Sequence, residues 1–404
     1  MRKASLWFGA VALLIQIFVV SSSARAAGPE IKVSDEELEK GAKDSEGLER
    51  HGKFGPLSFF GYGELHYNNP IGSRADQIDF HRMVLGIGYE FTKTIRLRTE
   101  VDFEHAFKEP ELEFAYLEWQ PKGAFGLRGG ALLVPIGVIN EHHEPPLFYS
   151  VERPDLYRAI IPTTWQEGGA GFFGHLESGL SYQAYAISMP TALQVSGTTV
   201  TSFNGSTGIR NGRGHVGEAP GRDFGGAARL EYKGLPRLRL GTSAVVGNTG
   251  QGNGAVDGGL LSMMEGDAKY SIEGIDLEGI LAFSHLKDAG NINTAILAAS
   301  PTFTNFVASQ MLGYYIEGAY HLFHHLMPET KHDLVVFARY EQIKTQFSMP
   351  SGFAANPAND RKVVTTGLSY LPIPQVAVKA DYTFNKNDAN TGTDQFNMGL
   401  GFYY

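Results

Sequence analysis

The segment IRLRTEVDFE, residues 95–104, decides the fold. Ile95, Leu97, Thr99, Val101 and Phe103 fall on one side of an extended chain, and Arg96, Arg98, Glu100, Asp102 and Glu104 fall on the other. Side chains change face at every residue of a strand, so this is a strand that is apolar on one side and charged along the whole of the other. The alternation returns further on. Leu334, Val336, Ala338 and Tyr340 oppose Arg339 and Glu341, and Val376, Val378, Ala380, Tyr382 and Phe384 oppose Lys379, Asp381 and Thr383. At the C-terminal end Phe396, Met398, Leu400, Phe402 and Tyr404 share a side opposite Gln395, Asn397, Gly399, Gly401 and Tyr403.

Counting such segments gives about sixteen strands, centred near residues 62, 85, 100, 116, 129, 171, 184, 228, 242, 266, 280, 316, 338, 367, 380 and 400. Short links join them at Thr92–Thr94, Pro121–Gly123, Glu177–Gly179, Lys233–Pro236 and near Gly274. Between these lie long polar stretches at 189–222, 247–258, 285–308, 343–361 and 385–394, so short and long connections are expected to alternate strictly. A meander of that kind reads as a transmembrane antiparallel β-barrel, short turns at one rim and long loops at the other. Hydrocarbon offers the backbone no hydrogen-bond partner, so a sheet crosses it only when closed. The outward side must then be apolar, because a charge there costs roughly 2–4 kcal/mol at the bilayer midplane. Tyr89, Phe91, Tyr232, Tyr370, Phe402 and Tyr404, near strand ends, suit the aromatic girdles of such a barrel.

The chain has 404 residues, 49 of them glycine and 12% aromatic, with no cysteine. Disulfides and thiol chemistry are therefore excluded. Arg2 and Lys3, the apolar run Gly9–Val20 and the small-x-small site Ala24–Ala26 read as an export signal over residues 1–26, cleaved before Ala27. Its loss removes three basic and no acidic residues, taking the net charge from −9 to −12, which argues against nucleic acid as a partner. Residues 27–54 are polar, with Ser34 and Glu37 spaced as a capping box before a possible helix over about Asp35–Leu48. The barrel is expected to occupy 55–404.

The stretch Pro135–Trp165 fits neither period and carries five prolines, yet it is too apolar to remain solvated. It is expected to be a loop folded into the barrel mouth.

The closing Phe402-Tyr403-Tyr404 resembles the assembly signal of bacterial outer-membrane barrels. The runs RMVLGIGYEFTKTIRLRTEVDFEHAF (82–107), PIGVINEHHEPPLFYSVERP (135–154) and IIPTTWQEGGAGFFG (160–174) are similar to the phosphate-selective porin O and P family. The resemblance spans essentially the whole barrel. It implies a homotrimeric channel in the outer membrane of a Gram-negative bacterium, surrounded by its lipid, whose third extracellular loop folds inward and whose basic lumen residues draw phosphate or other anions. The loop here has no lysine, and its bases are Arg153 and Arg158.

Bases expected at the constriction are Arg82, Arg96, Arg98 and Arg128 on early strands, Arg229, Arg339 and Lys379 on later ones, and Arg153 and Arg158 on the loop. Crowded guanidinium groups bind oxyanions and can set selectivity. Equally, the same groups can neutralise Glu90, Glu100, Asp102, Glu104, Glu231, Glu341 and Asp381 across the strands. His142 and His143, and His321, His324, His325 and His332, lack the spacing of a known metal site and are read as loop packing and a turn. No cofactor and no catalytic residue is expected, since there is no G-x-S-x-G and no serine triad can be placed on one strand side. The competing readings are a secreted soluble β-protein that binds carbohydrate and an outer-membrane barrel hydrolase. The expected function is passive diffusion of small hydrophilic solutes.

Overall fold

The computed structural model describes residues 56–404, apart from Arg74, residues 197 and 198, and Asp257. The expected export signal, its cleavage site and the helix near Asp35–Leu48 lie outside the described residues. Sixteen strands close into one antiparallel barrel. The first seven are β1 (Leu57–Pro70), β2 (Gln77–Glu90), β3 (Ile95–Glu104), β4 (Glu109–Lys122), β5 (Phe125–Leu133), β6 (Gln166–His175) and β7 (Leu180–Ser188). A separate hairpin of β8 (Leu193–Ser196) and β9 (Thr199–Ser202) follows. The wall resumes with β10 (Phe224–Leu235), β11 (Leu238–Asn248), β12 (Leu260–Ile272), β13 (Ile275–Leu286) and β14 (Gln310–His321). It ends with β15 (Asp333–Ser348), β16 (Asp360–Ile373), β17 (Val376–Asn387) and β18 (Gln395–Tyr403). Each of the sixteen expected strand centres falls inside one of these wall strands.

The ring shuts where β1 meets β18, in register from Tyr62 opposite Tyr403 to Pro70 opposite Gln395. Gly61 and Tyr404 exchange backbone hydrogen bonds of 3.0 and 2.9 Å at the rim of that seam. The outward side is apolar: Leu85, Ile87, Leu117, Leu127, Leu230, Ile316, Leu368, Val378 and Leu400 are all exposed. Inward, Glu100, Asp102, Arg339, Glu341, Lys379 and Asp381 are buried. A soluble sandwich would place its oily sides face to face; here they point away from the interior, which rules out that reading.

Connections at one rim are mostly tight, as at 91–94, 123–124, 236–237 and 374–375, but residues 322–332 make an eleven-residue link there. The six aromatics expected at the girdles all lie toward this rim. The strict alternation of short and long also fails on the opposite rim, where six residues (71–76) join β1 to β2 and four (105–108) join β3 to β4. Three successive left-handed residues, His105, Ala106 and Phe107, reverse the chain there, and Lys108 N donates to Glu104 O at 3.0 Å. No glycine or asparagine marks this turn, so its shortness has no signal in the sequence.

Three α-helices lie in the connections among the described residues: α1 (Leu156–Ala159), α2 (Ala289–Ala299) and α3 (Leu322–Leu326). The second fills a stretch expected to be loop. Ile292, Ala295 and Ile296, spaced three and four apart, are its buried side, and Asn293 bonds both backbone groups of Val307.

Arginine at Leu368, halfway along β16 on the lipid side, is expected to cost about 2–4 kcal/mol of unfolding free energy in phospholipid vesicles. The same change at Leu235, at the rim end of β10, should cost roughly 0–1 kcal/mol. Urea titration of the two variants compares them directly.

Candidate functional site

The connection from β5 to β6 folds into the barrel and is braced within itself. At its neck Asn140 donates to the carbonyls of Val134 and Trp165, at 2.7 and 3.0 Å, and accepts from Trp165 N at 2.7 Å. Tyr157 Oη accepts from Val138 N at 2.7 Å. Ile136, Leu156, Tyr157, Ile160, Ile161 and Trp165 are fully buried, so the apolar content that argued against a solvated loop forms a core of its own.

The wall holds this core by charge. Lys379 Nζ, on β17, donates to the carbonyls of Pro145, Phe148 and Ser150 at 2.6, 2.7 and 2.9 Å, and sits 3.9 Å over the Phe148 ring. Asp381 accepts from Val151 N at 2.6 Å, and Glu341 from Leu156 N at 3.1 Å. Arg339 donates to Ser150 Oγ at 2.7 Å, and Tyr149 Oη to Asp276 at 2.6 Å. Glu152 meets His66 of β1 at 3.1 Å, and His143 meets Glu113 of β4 at 3.3 Å. On β18 the loop needs glycine: a Cβ at Gly401 would meet Pro145 Cβ closer than such atoms pack. The loop thus reaches right across the interior from β5 to β18.

Five of the arginines expected on the strands stand among carboxylates. Arg82 lies between Asp102, Glu104 and Glu113, at 3.3, 2.5 and 3.3 Å. Arg96 and Arg128 share Glu118, at 2.7 and 3.0 Å, and Arg128 is sandwiched by the Tyr116 and Phe173 rings. Arg98 is half-buried on the inward side of β3. Arg229 meets Glu265 and Asp267, each at 2.8 Å, and Arg339 meets Glu317 and Glu341 at 3.0 and 2.9 Å. On the loop, Arg153 donates to His143 O at 3.3 Å while Arg158, on α1, is exposed. His143 is packed between Glu113 and the Asn140 carbonyl, His321 ends β14, and His324, His325 and His332 belong to the connection from β14 to β15.

A second inward segment has no counterpart in the sequence reading. Residues 203–213, within the stretch read as a long polar loop, lie on top of the first loop. Phe203 and Ile209 are fully buried, and Gly208, at φ +57°, lies close under Ala159 O and Met311. Thr345 of β15 donates to Gly205 O. Arg210 donates to Thr163 O at 2.5 Å, and Arg213 to the carbonyls of Thr163 and Thr164 at 3.0 and 2.7 Å. Neither meets a carboxylate at ion-pair distance among the described residues. Burial, with the positive charges of Arg158, Arg82 and Arg153, pulls Arg210 down to about 10; burial and Arg210 pull Arg213 down to about 9. Phe203 and Ile209, isolated in FNGSTGIRNGRG, were the signal that this segment is not solvated.

Elsewhere on the first loop, burial pushes the Glu141 and Glu144 carboxyls up. Burial also holds the His142 ring at about 4, against 6.5 for a free imidazole. That ring is neutral at neutral pH and must take up a proton as the chain unfolds in acid, so the loop loses stability as pH falls from about 6.5 to about 4. Channel recordings should show current noise rising across that window, and His142→Gln should flatten the dependence. Lys379→Met removes the donor from three carbonyls, each such bond being worth roughly 1.5–3 kcal/mol. Trypsin should then cut after Arg158 in the folded barrel faster than in the unaltered protein.

No protein-family model matches the chain. Among solved structures it is similar to OmpF of Salmonella typhi in complex with daunomycin, with 12% identity and a TM-score of 0.56 over 86% of this chain and 97% of that one. The outer membrane channel DcaP of Acinetobacter baumannii gives 11% identity and a TM-score of 0.56 with the same coverage. OmpT of Vibrio cholerae, in its trimer form, gives 11% and 0.53 over 86% and 99%. At such identities the likeness is one of fold, and the fold is that of outer-membrane porins. An uncharacterized protein of Aquifex aeolicus is 34% identical over 336 residues, 81% of this chain and 75% of its own length. The chain belongs to one family with that Aquifex protein.

Proposed function

We propose that the chain is a porin of a Gram-negative outer membrane, passing small hydrophilic solutes by diffusion and favouring anions. The observation that carries this reading is the contrast between the wall and the loops. Arg82, Arg96, Arg128, Arg229 and Arg339 on the wall stand among carboxylates, whereas Arg210 and Arg213 lean on carbonyls with no carboxylate at ion-pair distance among the described residues, and the exposed Arg158 adds its charge. A dissolved oxyanion is the partner that a half-buried guanidinium fork lacks. The resemblance to the phosphate-selective porin O and P family favours phosphate or a similar oxyanion. Arg153 and Arg158 are then the constriction bases of the first loop, while the wall arginines and Lys379 act by holding that loop in place. The same reading treats residues 1–26 as a removed export signal, 27–54 as a periplasmic segment and the assembly as a homotrimer; one structure of the Vibrio OmpT is of a trimer form.

Planar-bilayer recordings under a potassium chloride gradient test the selectivity. The expected reversal potential has the anion-selective sign, and Arg210→Gln with Arg213→Gln should move it toward zero. A cation-selective sign in the unaltered protein would overturn the anion claim. Liposome swelling with phosphate, sulfate and neutral sugars ranks the solutes, and chemical cross-linking in detergent counts the chains.

A further inference from the structure

At the loop rim of the barrel, β2 and the short connection after β3 bring two imidazoles and a carboxylate to one point. Asp79 Oδ2 lies 3.1 Å from His81 Nδ1 and 2.7 Å from His105 Nδ1. The ligand atoms of the three residues all fall within 4.8 Å of one another. How His81 arrives there is informative. In the pairing of β1 with β2, Glu64 stands opposite Arg82 and Leu65 opposite Phe80, so His81 is an extra residue in a bulge. The extra residue reverses the alternation beyond it, so the outward residues are Leu85 and Ile87 on one side of the bulge and Ile78 and Phe80 on the other. Phe80 keeps its outward place and is exposed, while Asp79 and His81 both turn inward, and His105 is delivered by the first of the three left-handed residues.

We propose that Asp79, His81 and His105 form a binding site for one divalent transition-metal ion of the zinc, nickel or copper kind. In the metal-free state both rings must carry their protons on Nδ1 to bond the same oxygen. A metal ion replaces those two protons, because the three ligand atoms already converge on one point. Two imidazole nitrogens and one carboxylate oxygen suit these ions and not magnesium or calcium, which take oxygen donors. The rings are about one third exposed and the carboxylate less, so an ion can enter from water and keep a water molecule in its remaining position. His66, whose ring stacks on His81 at 4.9 Å, is held by Glu64 and Glu152, each at 3.1 Å, and backs the site without joining it. The tie would join the loop ends of β2 and β3 and add positive charge there.

Untagged, chelator-treated barrel in detergent, titrated calorimetrically with zinc chloride and in parallel with magnesium chloride, tests the site. One zinc ion per chain is expected, bound at least tenfold tighter than magnesium. His81→Ala and His105→Ala should each weaken zinc by more than the roughly 10–100-fold that loss of an outer partner costs, and His66→Gln by no more than that. Cobalt in place of zinc gives a visible spectrum of a low-coordinate site, which should vanish in the His81→Ala, His105→Ala double variant. Heat-modifiable gel migration shows that each variant is folded. Zinc bound no better than magnesium, or bound undiminished by the folded double variant, would overturn the proposal.

Discussion

A strand in hydrocarbon can leave no peptide group unpaired, and the closure of β1 on β18 is how this chain meets that requirement. Much of the sequence follows from it. With no free edge, each wall strand has one side for lipid and one for the interior, and the side chains must obey a period of two. The charges that the lipid side excludes are concentrated on the other, where they are crowded and partly removed from water. Arg82 among Asp102, Glu104 and Glu113, and Arg229 between Glu265 and Asp267, are the outcome: ions that a confined space obliges to pair.

What the wall does with its remaining polar capacity fixes the loop. Carboxylates of β15 and β17 accept the loop's N–H groups, while Lys379 and Arg339 donate to its carbonyl and hydroxyl oxygens. A segment without regular structure would otherwise hide unsatisfied backbone, which is costly. The loop can therefore be irregular and buried together. Residues 203–213 repeat the arrangement one layer up, with Arg210 and Arg213 closing the carbonyls of Thr163 and Thr164.

The strands were legible because alternation is local: Ile95–Glu104 states its own orientation without reference to any other part of the chain. The inward loop was legible for a related reason, since Ile160, Ile161 and Trp165 in a proline-rich run require burial somewhere. The partners of the bases were not legible. Whether Arg339 serves a solute or Glu317 depends on the register of β14 against β15, which no single strand reveals. The packing of residues 203–213 was hidden by their polar, glycine-rich composition, and the bulge that turns His81 inward shows in β2 only as a change of phase, from Ile78 and Phe80 to Met83, Leu85 and Ile87. Helix α2 was within reach, because Ile292, Ala295 and Ile296 have helical spacing, but the flanking polar residues dominated the reading.

The clamps on the inward loop join residues far apart in the chain: Lys379 lies 229, 231 and 234 positions beyond the carbonyls it binds. During synthesis the segment between β5 and β6 is therefore made long before its anchors on β15 and β17 exist. A sheet lacking β15 and β17 could hold it through His66, Glu113 and Asp276, but would leave its carbonyls at Pro145, Phe148 and Ser150 without their donor. Completion of the ring and full seating of the loop are thus coupled, because the last strands to be made carry the side chains that satisfy its backbone.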